Sequence, residues 1–319
     1  MGDPKSIAQS YRDSMRRHRF GYALYEPAPF SRLRPGMLGY LDDDHQRWHP
    51  ILDLTDADAV AEAGYTPLGH LQPSGGGQPD VRRLGPLTAD RVHKTELALE
   101  AGLGAGALAA AGLPVDVGAA VRYSTSGEFG AVLLCRGDVV SEGFDFREPF
   151  LAWLQVNAKV LFRRYPDARK RGSGLCVATW TYSAEDIGIA AWESSEGGVA
   201  VGCEVGMAEV AKLGPNVEWI RGRSSSGWAE WKDQKRVVFF AGVKIKPGIF
   251  GVMMREEREE DWRGGADEDM FEVEDEEEEG GAYMVGVEMF GDDWDSILNG
   301  DRLEGKNHDE GRDGGNPAY

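Results

Sequence analysis

Charge is divided very unevenly along this chain of 319 residues. Residues 255–319 contain 24 acidic and 6 basic side chains, whereas residues 1–254 contain 30 and 29. A segment with so much like charge repels itself and stays extended, so we expect the main core to form within residues 1–254. We call residues 1–254 the body and residues 255–319 the acidic tail, and we expect the tail to mask basic surfaces of the body.

The composition of the chain is typical of a β-rich domain. Hydrophobic residues make up 41%, and nine Trp with 43 Gly indicate many strands and turns. Cys135, Cys176 and Cys203 are odd in number and widely spaced, which fits a reducing, cytoplasmic location rather than a disulfide framework or a zinc site. The N-terminus has no apolar core of signal-peptide length, and no apolar run is long enough for a transmembrane helix.

The N-terminal segment predicts a basic amphipathic helix over residues 5–20. Ile7, Tyr11 and Met15 recur at intervals of four, and basic side chains flank this apolar stripe. Two interpretations are equally open. The helix packs on the body as an ordinary solvated helix, or it binds an anionic membrane surface through its cations. The candidate lipid-binding residues of this first basic cluster are Lys5, Arg12, Arg16, Arg17 and Arg19.

A second basic cluster follows the strongest helical pattern of the body, residues 145–165. Cations at the end of a helix complement its dipole, which explains Arg163 and Arg164. The same argument does not explain the cations that follow, so we treat the whole cluster as a second candidate lipid-binding surface. Its members are Arg163, Arg164, Arg169, Lys170 and Arg171.

Most of the remaining body predicts short antiparallel strands separated by turns. The last of them, residues 236–246, ends with Lys244 and Lys246 on one face. We also predict a helix over residues 56–63 with Thr55 as its N-cap, a flexible connection over residues 72–86, and an Ala/Leu-rich segment capped by Thr88. The other predicted strands are residues 22–25, 37–41, 48–54, 119–125, 129–135, 175–183, 187–192, 199–205, 217–222 and 227–232.

Two apolar islands interrupt the acidic tail, at residues 283–290 and 294–298. A tail that only solvates the protein has no need of them. We therefore predict that they dock against the body and keep it inactive. The predicted contact residues are Tyr283, Met284, Val285, Phe290, Trp294, Ile297 and Leu298.

Signatures of catalysis and of metal binding are weak throughout the chain. His45 and His49 have the spacing of two ligands on a helix, but Pro50 follows and no third ligand lies near. The glycines near Gly102 are a poor match to a dinucleotide-binding turn, and no phosphate-binding loop is present. Basic residues are too few for a nucleic-acid binder. We therefore expect no enzyme activity, no cofactor, no metal and no nucleic-acid partner.

The order of these parts over residues 5–250 resembles the gasdermin-like pore-forming proteins of the small fungal type. The basic first helix carries the resemblance, together with YALYEPAPFSRLRPGMLGYLDDD, the helix REPFLAWLQVNAKVLFRRYP and the strands GLCVATWTYS and DIGIAAWE. It implies an α+β fold like the gasdermin N-terminal domain, in which a twisted, mainly antiparallel β-sheet is flanked by helices. The resemblance also implies a pore-forming domain, residues 1–254, followed by a short autoinhibitory segment, residues 255–319.

Family membership would further imply a mechanism of regulated cell death. A protease, commonly a serine protease in fungal members, removes the C-terminal segment from a cytoplasmic precursor. The freed domain binds acidic phospholipids at the plasma membrane or an organelle membrane, oligomerises and permeabilises it. The Glu-rich stretch of this tail departs from the family pattern, so the cleavage position stays open between residues 250 and 265. Candidate positions are Phe250, Met254, Arg255 and Arg258.

Two other functions fit the same sequence. The first is a non-lytic regulatory protein whose acidic tail binds a protein partner. The second is a small-molecule enzyme whose site lies among aromatic side chains of the strands. Tryptophans spaced along strands belong more often to a core than to a site. The residues concerned are Trp180, Trp192, Trp219, Trp228 and Trp231.

Overall fold

The computed structural model describes nine stretches of the chain, with three antiparallel sheets and three α-helices within them. The predicted α+β class, with mainly antiparallel strands and flanking helices, is confirmed. The strands are divided among three sheets. The described residues are 6–42, 46–97, 119–169, 174–193, 198–203, 219–221, 228–247, 270–275 and 281–291.

The helices and strands follow one another closely along the chain. The helices are α1 (Ile7–Met15), α2 (Ala57–Glu62) and α3 (Glu148–Arg164). The strands are β1 (Tyr22–Pro29), β2 (Met37–Leu41), β3 (Trp48–Asp53), β4 (Asp80–Arg82), β5 (Leu87–Thr88), β6 (Val92–Leu97), β7 (Ala119–Thr125), β8 (Phe129–Arg136), β9 (Val139–Gly143), β10 (Leu175–Ala184), β11 (Asp186–Glu193), β12 (Gly198–Cys203), β13 (Trp219–Arg221), β14 (Trp228–Trp231), β15 (Arg236–Pro247), β16 (Met270–Asp275) and β17 (Gly281–Phe290).

The main sheet has nine strands, and its central path runs β16-β17-β15-β10-β2-β3. β1 also pairs with β15, while β9 pairs with β10 and with β4. The two smaller sheets each have four strands, in the orders β14-β11-β8-β5 and β13-β12-β7-β6. Two strands of the acidic tail, β16 and β17, therefore belong to the same sheet as the body.

Helix α1 begins with a capping box, in which the Ser6 hydroxyl accepts from the Gln9 N–H and the Gln9 side chain accepts from the Ser6 N–H. Its apolar stripe faces the body, since Tyr11 and Met15 are fully buried. The α-helix ends at Met15, earlier than predicted, and a single 3₁₀ turn follows. The cations of this segment therefore lie around a helix that is already packed on the body.

Helix α3 begins three residues later than predicted and carries Pro149 in its first turn, where the missing N–H has no helical partner to lose. Its buried side chains pack against Val243 and Ile245 of β15, and together they form the largest apolar cluster of the described residues. The helix therefore covers one face of the main sheet. The buried side chains of the helix are Phe150, Trp153, Leu154, Ala158, Leu161 and Phe162.

Two of the predicted local structures are wrong. The N-cap of α2 is Asp56, whose carboxylate accepts from the Ala59 N–H at 3.0 Å, because the Thr55 hydroxyl donates to Asp53 instead. Thr88 lies in strand β5 opposite Val132, so it begins no helix. Long-range strand pairing overrides local helix propensity here. The rest of the Ala/Leu-rich segment, residues 98–118, lies outside the described residues.

The connection over residues 72–86 contains regular structure that we did not predict. A short 3₁₀ turn covers Ser74–Gly77, and β4 pairs with β9 through three residues. Strand β1 also extends beyond the predicted residues 22–25, through Pro27 to Pro29. Its register with β15 shifts between Ala23 and Ala28, and this irregularity accommodates Pro27 within the strand.

Candidate functional site

Strand β17 fills one half of an edge of β15. On one side β15 pairs with β10 along most of its length. On the other side its first half pairs with β1, through Tyr22 opposite Phe240, and its second half pairs with β17. Residues 242–247 of β15 lie opposite residues 290–285 of β17. The acidic tail thus completes the sheet at a position where the body alone has an open edge.

The side chains of β17 alternate between the two faces of the sheet, as a strand requires. Val287 lies opposite Ile245, is 1% exposed, and joins the apolar cluster under α3. Phe290 is 5% exposed and joins a different cluster with Tyr22 and Phe240 on the other face. The tail strand is therefore anchored in the core on both of its faces.

Phe290 packs against two aromatic rings of the body. Its ring stacks on Tyr22 with centroids 4.1 Å apart and planes 13° from parallel. It also meets Phe240 edge-on, at 5.4 Å and 88°. Such pairs contribute about 0.5–1.5 kcal/mol beyond the burial of their area. This residue is a strong anchor for the C-terminal end of β17.

Glu288 forms a group of polar contacts between the tail and the body. One carboxylate oxygen accepts from the Tyr22 hydroxyl at 2.7 Å, and the other accepts from the Lys246 ammonium at 2.5 Å. The Arg16 guanidinium lies 3.9 Å from the first oxygen. Lys244, directly opposite Glu288 in the register, is only 2% exposed. Glu288 is therefore the acid that meets the cations at this edge.

The pKa values of this group of residues reflect burial and charge. Burial raises the pKa of Glu288, but Lys246, the hydrogen bonds from Lys246 and Tyr22, and Lys244 outweigh it, so the net pKa is lowered. Burial lowers the pKa of Lys244 and raises that of Tyr22. At neutral pH Glu288 is ionised and Tyr22 is a neutral donor, which is the state that these hydrogen bonds require.

The end of β17 fits tightly against β15. Gly291 has a φ of +85°, and a Cβ there would lie 2.4 Å from the Cβ of Ala241, so a side chain would clash. Arg147, just before α3, donates to the Gly291 carbonyl oxygen at 3.1 Å. This contact ties the tail to a second element of the body.

The structure describes the contact residues that we predicted in the tail only in part. Phe290 packs in the core as described above. Three others lie in β17, where residue 285 pairs with Pro247 and residue 283 with Val273, but their side chains are outside the described residues. The second island, residues 294–298, lies entirely outside the described residues. The residues concerned are Tyr283, Met284 and Val285 in β17, and Trp294, Ile297 and Leu298 in the second island.

The first basic cluster meets the tail through one of its members. Arg16 approaches Glu288, while Arg17 pairs with Asp90 at 3.2 Å. Arg12 donates to Gln46 and lies over the Tyr22 ring at 5.3 Å. Arg19 ends the 3₁₀ turn with a φ of 61°, and Lys5 lies outside the described residues.

The second basic cluster belongs to the other side of the sheet. Arg163 and Arg164 are exposed at the end of α3, where Arg164 donates to the Ala63 carbonyl oxygen at 3.2 Å. The side chain of Arg169, Lys170 and Arg171 lie outside the described residues. The two basic clusters that we predicted as lipid-binding surfaces are therefore carried by different elements, and among their described side chains Arg16 of the first cluster approaches β17.

Apart from Arg16, we did not predict Glu288 or its partners as site residues. Lys244 and Lys246 were visible as two cations on one face of an apolar strand, which is an unusual pattern. Glu288 was visible as the single acid within the apolar island 283–290. Neither pattern reveals that the two strands are neighbours, because the pairing joins segments about forty residues apart.

The tryptophans of the alternative enzyme site whose side chains are described do not converge on one pocket. Trp180 donates to Ser141 at 2.8 Å in the main sheet, whereas Trp228 donates to Glu230 at the surface of a smaller one. Trp192 is buried, Trp231 packs at the margin of a core cluster, and the side chain of Trp219 is outside the described residues. This arrangement fits the structural role that we weighed against a catalytic one.

The structure describes the candidate metal ligands only in part and the candidate cleavage positions not at all. His49 is 3.1 Å from Asp42, His45 is not described, and no group of three potential metal ligands occurs in the described stretches. The candidate cleavage positions Phe250, Met254, Arg255 and Arg258 are also not described. Among the helices that are described, none is long and apolar enough to cross a membrane.

Comparisons with known proteins give a similarity among solved structures. No family model matches the chain, and no curated protein matches it. Among solved structures it is similar to a bacterial gasdermin from Bradyrhizobium tropiciagri, at 12% sequence identity and a TM-score of 0.27, over 76% of this chain and 88% of that one. This is the family that the sequence resembles.

The thiol of Cys176 offers a test of whether β17 covers the core. Cys176 is fully buried in the same cluster as Phe290, and burial raises its pKa to about 11. We expect it to resist thiol reagents at pH 8 in the intact chain and to react at least about tenfold faster in the Phe290→Ala variant. Labelling is followed by mass spectrometry in a Cys203→Ser background, with buried Cys135 as the internal control. Equal labelling rates would show that β17 does not protect this cluster.

Acid should weaken the docking of β17 through Glu288. Docking lowers the pKa of Glu288 from 4.5, so the stabilising contribution of its carboxylate is present above pH 4.5. This contribution is lost as the pH falls through the lowered pKa of the docked strand. The difference in thermal stability between the wild type and Glu288→Gln should therefore be constant near pH 7 and shrink below pH 4.5. Thermal unfolding of both proteins across this range measures it. A difference independent of pH would contradict an ionised, paired Glu288.

Proposed function

We propose that this chain is an autoinhibited pore-forming protein whose acidic tail holds it inactive. In this proposal a protease cuts between the body and β17, the tail leaves, and the body binds acidic phospholipids, self-associates and permeabilises the membrane. The outcome is regulated cell death, and the chain itself is not an enzyme. One observation carries the proposal: β17 closes an edge of the main sheet while Glu288 neutralises cations of the body.

The first support is the surface that β17 covers. Without it, residues 242–247 of β15 present unpaired backbone groups. The rings of Tyr22 and Phe240 lose their contact with Phe290 and face solvent. Exposed apolar surface beside an open edge is unstable in water and favours transfer to a bilayer or to a partner.

The second support is charge. The whole chain has a net charge of −19, and residues 1–254 have a net charge of −1. An anionic bilayer therefore repels the intact chain but not the nearly neutral body. Departure of Glu288 also frees Lys246 and Arg16, which join Arg12 and Arg17 of the first basic cluster. Each cation near an anionic leaflet contributes about 1 kcal/mol of binding free energy.

The third support is the path of the chain. β15 ends at Pro247, which pairs with Val285 of β17. β16 begins at Met270, which pairs with the next residue of β17, Gly286. The 22 residues between them join two points only a few strand widths apart, about 10 Å. A cut there does not remove any described contact by itself. We propose that a serine protease cuts this segment in the cytoplasm, and that the activated body then moves to the plasma membrane or an organelle membrane.

A cleavage experiment on the full chain tests the proposal. A recognition sequence for a specific protease replaces residues 256–262, and dye release is followed from vesicles of anionic or neutral phospholipid. We expect no release from either vesicle before the cut and release from the anionic vesicles after it. Matched controls are the wild-type chain with the same protease and the cut chain with neutral vesicles.

The opposite results are equally clear. Anionic vesicles that stay intact after complete cutting would contradict a pore-forming function. They would favour the regulatory protein whose acidic tail binds a partner, which predicts that cutting abolishes binding of that partner without any effect on lipid. Release by the uncut chain at the same rate would contradict autoinhibition.

A further inference from the structure

We infer that Glu288 is a shared counter-ion that holds helix α1 against the main sheet, so that departure of β17 releases α1 from the body. The inference rests on the proposed function only in that it requires the tail to leave. It concerns the first helix of the body in water, without any lipid, and this helix has no part in the proposal beyond the charges that it carries.

Four cations from two elements gather at the tail strand. Lys244 and Lys246 belong to β15, whereas Arg12 and Arg16 are one turn apart on the N-terminal helical segment. Glu288 accepts from Lys246 at 2.5 Å, is 3.9 Å from Arg16, and pairs with Lys244 across the strands. The tail therefore supplies an acid that attracts the helix and the sheet at the same time.

Tyr22 brings one cation of each element close to the other. The Arg12 guanidinium lies 5.3 Å from the centroid of the Tyr22 ring, and the Lys244 ammonium lies 5.6 Å from it. Lys244 is 2% exposed and the Arg12 side chain is 21% exposed, so water and salt screen their repulsion only in part. Burial lowers the pKa of Lys244, Arg12 lowers it further, and Glu288 opposes both effects. The two cations therefore repel each other, and Glu288 offsets this repulsion at rest.

Departure of Glu288 removes that offset. Two like charges about 10 Å apart in a partly buried setting shift an equilibrium by roughly tenfold. Asp13, 3.5 Å from Arg12, and the Gln46 side chain, which accepts from Arg12, remain and oppose the shift in part. Lys244 is held in place because β15 pairs with β10 along this stretch. The helix is therefore the element that moves.

The packing of α1 is weak enough for a tenfold shift to matter. The helix has nine residues, and a helix of this length is marginal on its own in water. The Tyr11 hydroxyl is buried beneath it and has no hydrogen-bond partner within the described part of the chain. An unpaired buried polar group destabilises the interface to which it belongs. We therefore expect α1 to lose its helical hydrogen bonds when it leaves the sheet.

The experiment uses the full chain with the protease site described above and Phe290→Ala, which helps the cut tail to leave. Gel filtration without lipid separates the body from the tail, and hydrogen exchange is measured at residues 10–15 before and after cutting. Exchange there should be at least about tenfold faster after cutting. The acceleration should shrink in 1 M salt, where the Debye length is about 3 Å. Residues 180–183, which pair with β9, are the internal control and should not change.

Two variants each remove one of the repelling charges. Arg12→Gln and Lys244→Met should both bring the ratio of exchange in the cut chain to exchange in the uncut chain close to one. Arg17→Gln is the matched control, because Arg17 pairs with Asp90 and not with the tail strand, and it should keep the wild-type ratio. No acceleration after cutting, an acceleration independent of salt, or one that persists in both charge-removing variants would each overturn the inference.

The same preparation separates this inference from the proposed function. A body that permeabilises anionic vesicles while α1 stays protected in solution would overturn the inference and leave the proposed function standing. A released α1 without any dye release would support the inference and contradict the proposed function.

Discussion

Replacing Glu288 by lysine should detach β17 from the body in the uncut chain. The variant loses the hydrogen bonds from Tyr22 and Lys246 and places a fourth cation beside Lys246, Lys244 and Arg16. Breaking a buried ion pair costs about 3–5 kcal/mol, and because Lys246 is partly exposed we expect about 3 kcal/mol here. Amides of residues 242–247 should then exchange about 100-fold faster, since 1.4 kcal/mol is a factor of ten.

The control for this variant is Glu26→Lys, another charge reversal on the main sheet. Glu26 accepts two hydrogen bonds from Arg47 at the surface, far along β1 from the tail contact. It should leave exchange at residues 242–247 unchanged. Glu288→Gln should fall between the wild type and Glu288→Lys, because it keeps the shape and loses the charge. Equal effects of Glu26→Lys and Glu288→Lys, or no effect of either, would contradict the role assigned to Glu288.

Replacing Phe290 by alanine should weaken docking by about as much through a different cause. The ring is buried between Tyr22 and Phe240, and large-to-small substitutions of buried aromatic residues cost about 3–5 kcal/mol. We expect exchange at residues 242–247 to accelerate by about two orders of magnitude or more. In the chain with the protease site, dye release after cutting should also begin sooner, because the tail leaves more readily.

Phe146→Ala provides the matched control for Phe290→Ala. Phe146 is 56% exposed, so its truncation should change stability by no more than about 0.5 kcal/mol and leave the tail docked. The double variant Glu288→Gln/Tyr22→Phe is informative as well. Tyr22→Phe removes the donor of this hydrogen bond and Glu288→Gln replaces its charged acceptor by a neutral one, so their effects should be less than additive. Unchanged exchange in Phe290→Ala would mean that Phe290 does not anchor β17.

The sequence predicts the elements of this protein better than it predicts their neighbours. Period-two alternation and turn residues correctly indicate strands such as β2, and helical spacing indicates α3 within three residues at its start. These features are local, so a single sequence is enough to reveal them. The apolar island that contains Phe290 was predicted as a docking segment, but its strand conformation was not predicted.

Pairing between distant segments is what the sequence does not reveal. The position of β17 beside β15 depends on long-range register, and a shift of one residue would turn Glu288 away from Lys246 and Tyr22. Thr88 shows the same limit, since a plausible helix cap proved to be a strand residue held by β8. The site therefore becomes apparent only when the strands are seen side by side.

The central claim is that departure of the tail strand makes the body active on membranes. Its most direct test follows both events at once, in the full chain with the protease site and a fluorophore on the C-terminal residue. Anisotropy of the fluorophore reports whether the tail is bound to the body, and dye release reports permeabilisation of anionic vesicles. The account predicts that anisotropy falls before or together with dye release, and only after cutting. Dye release while the anisotropy stays high, or complete loss of the tail with intact vesicles, would contradict it.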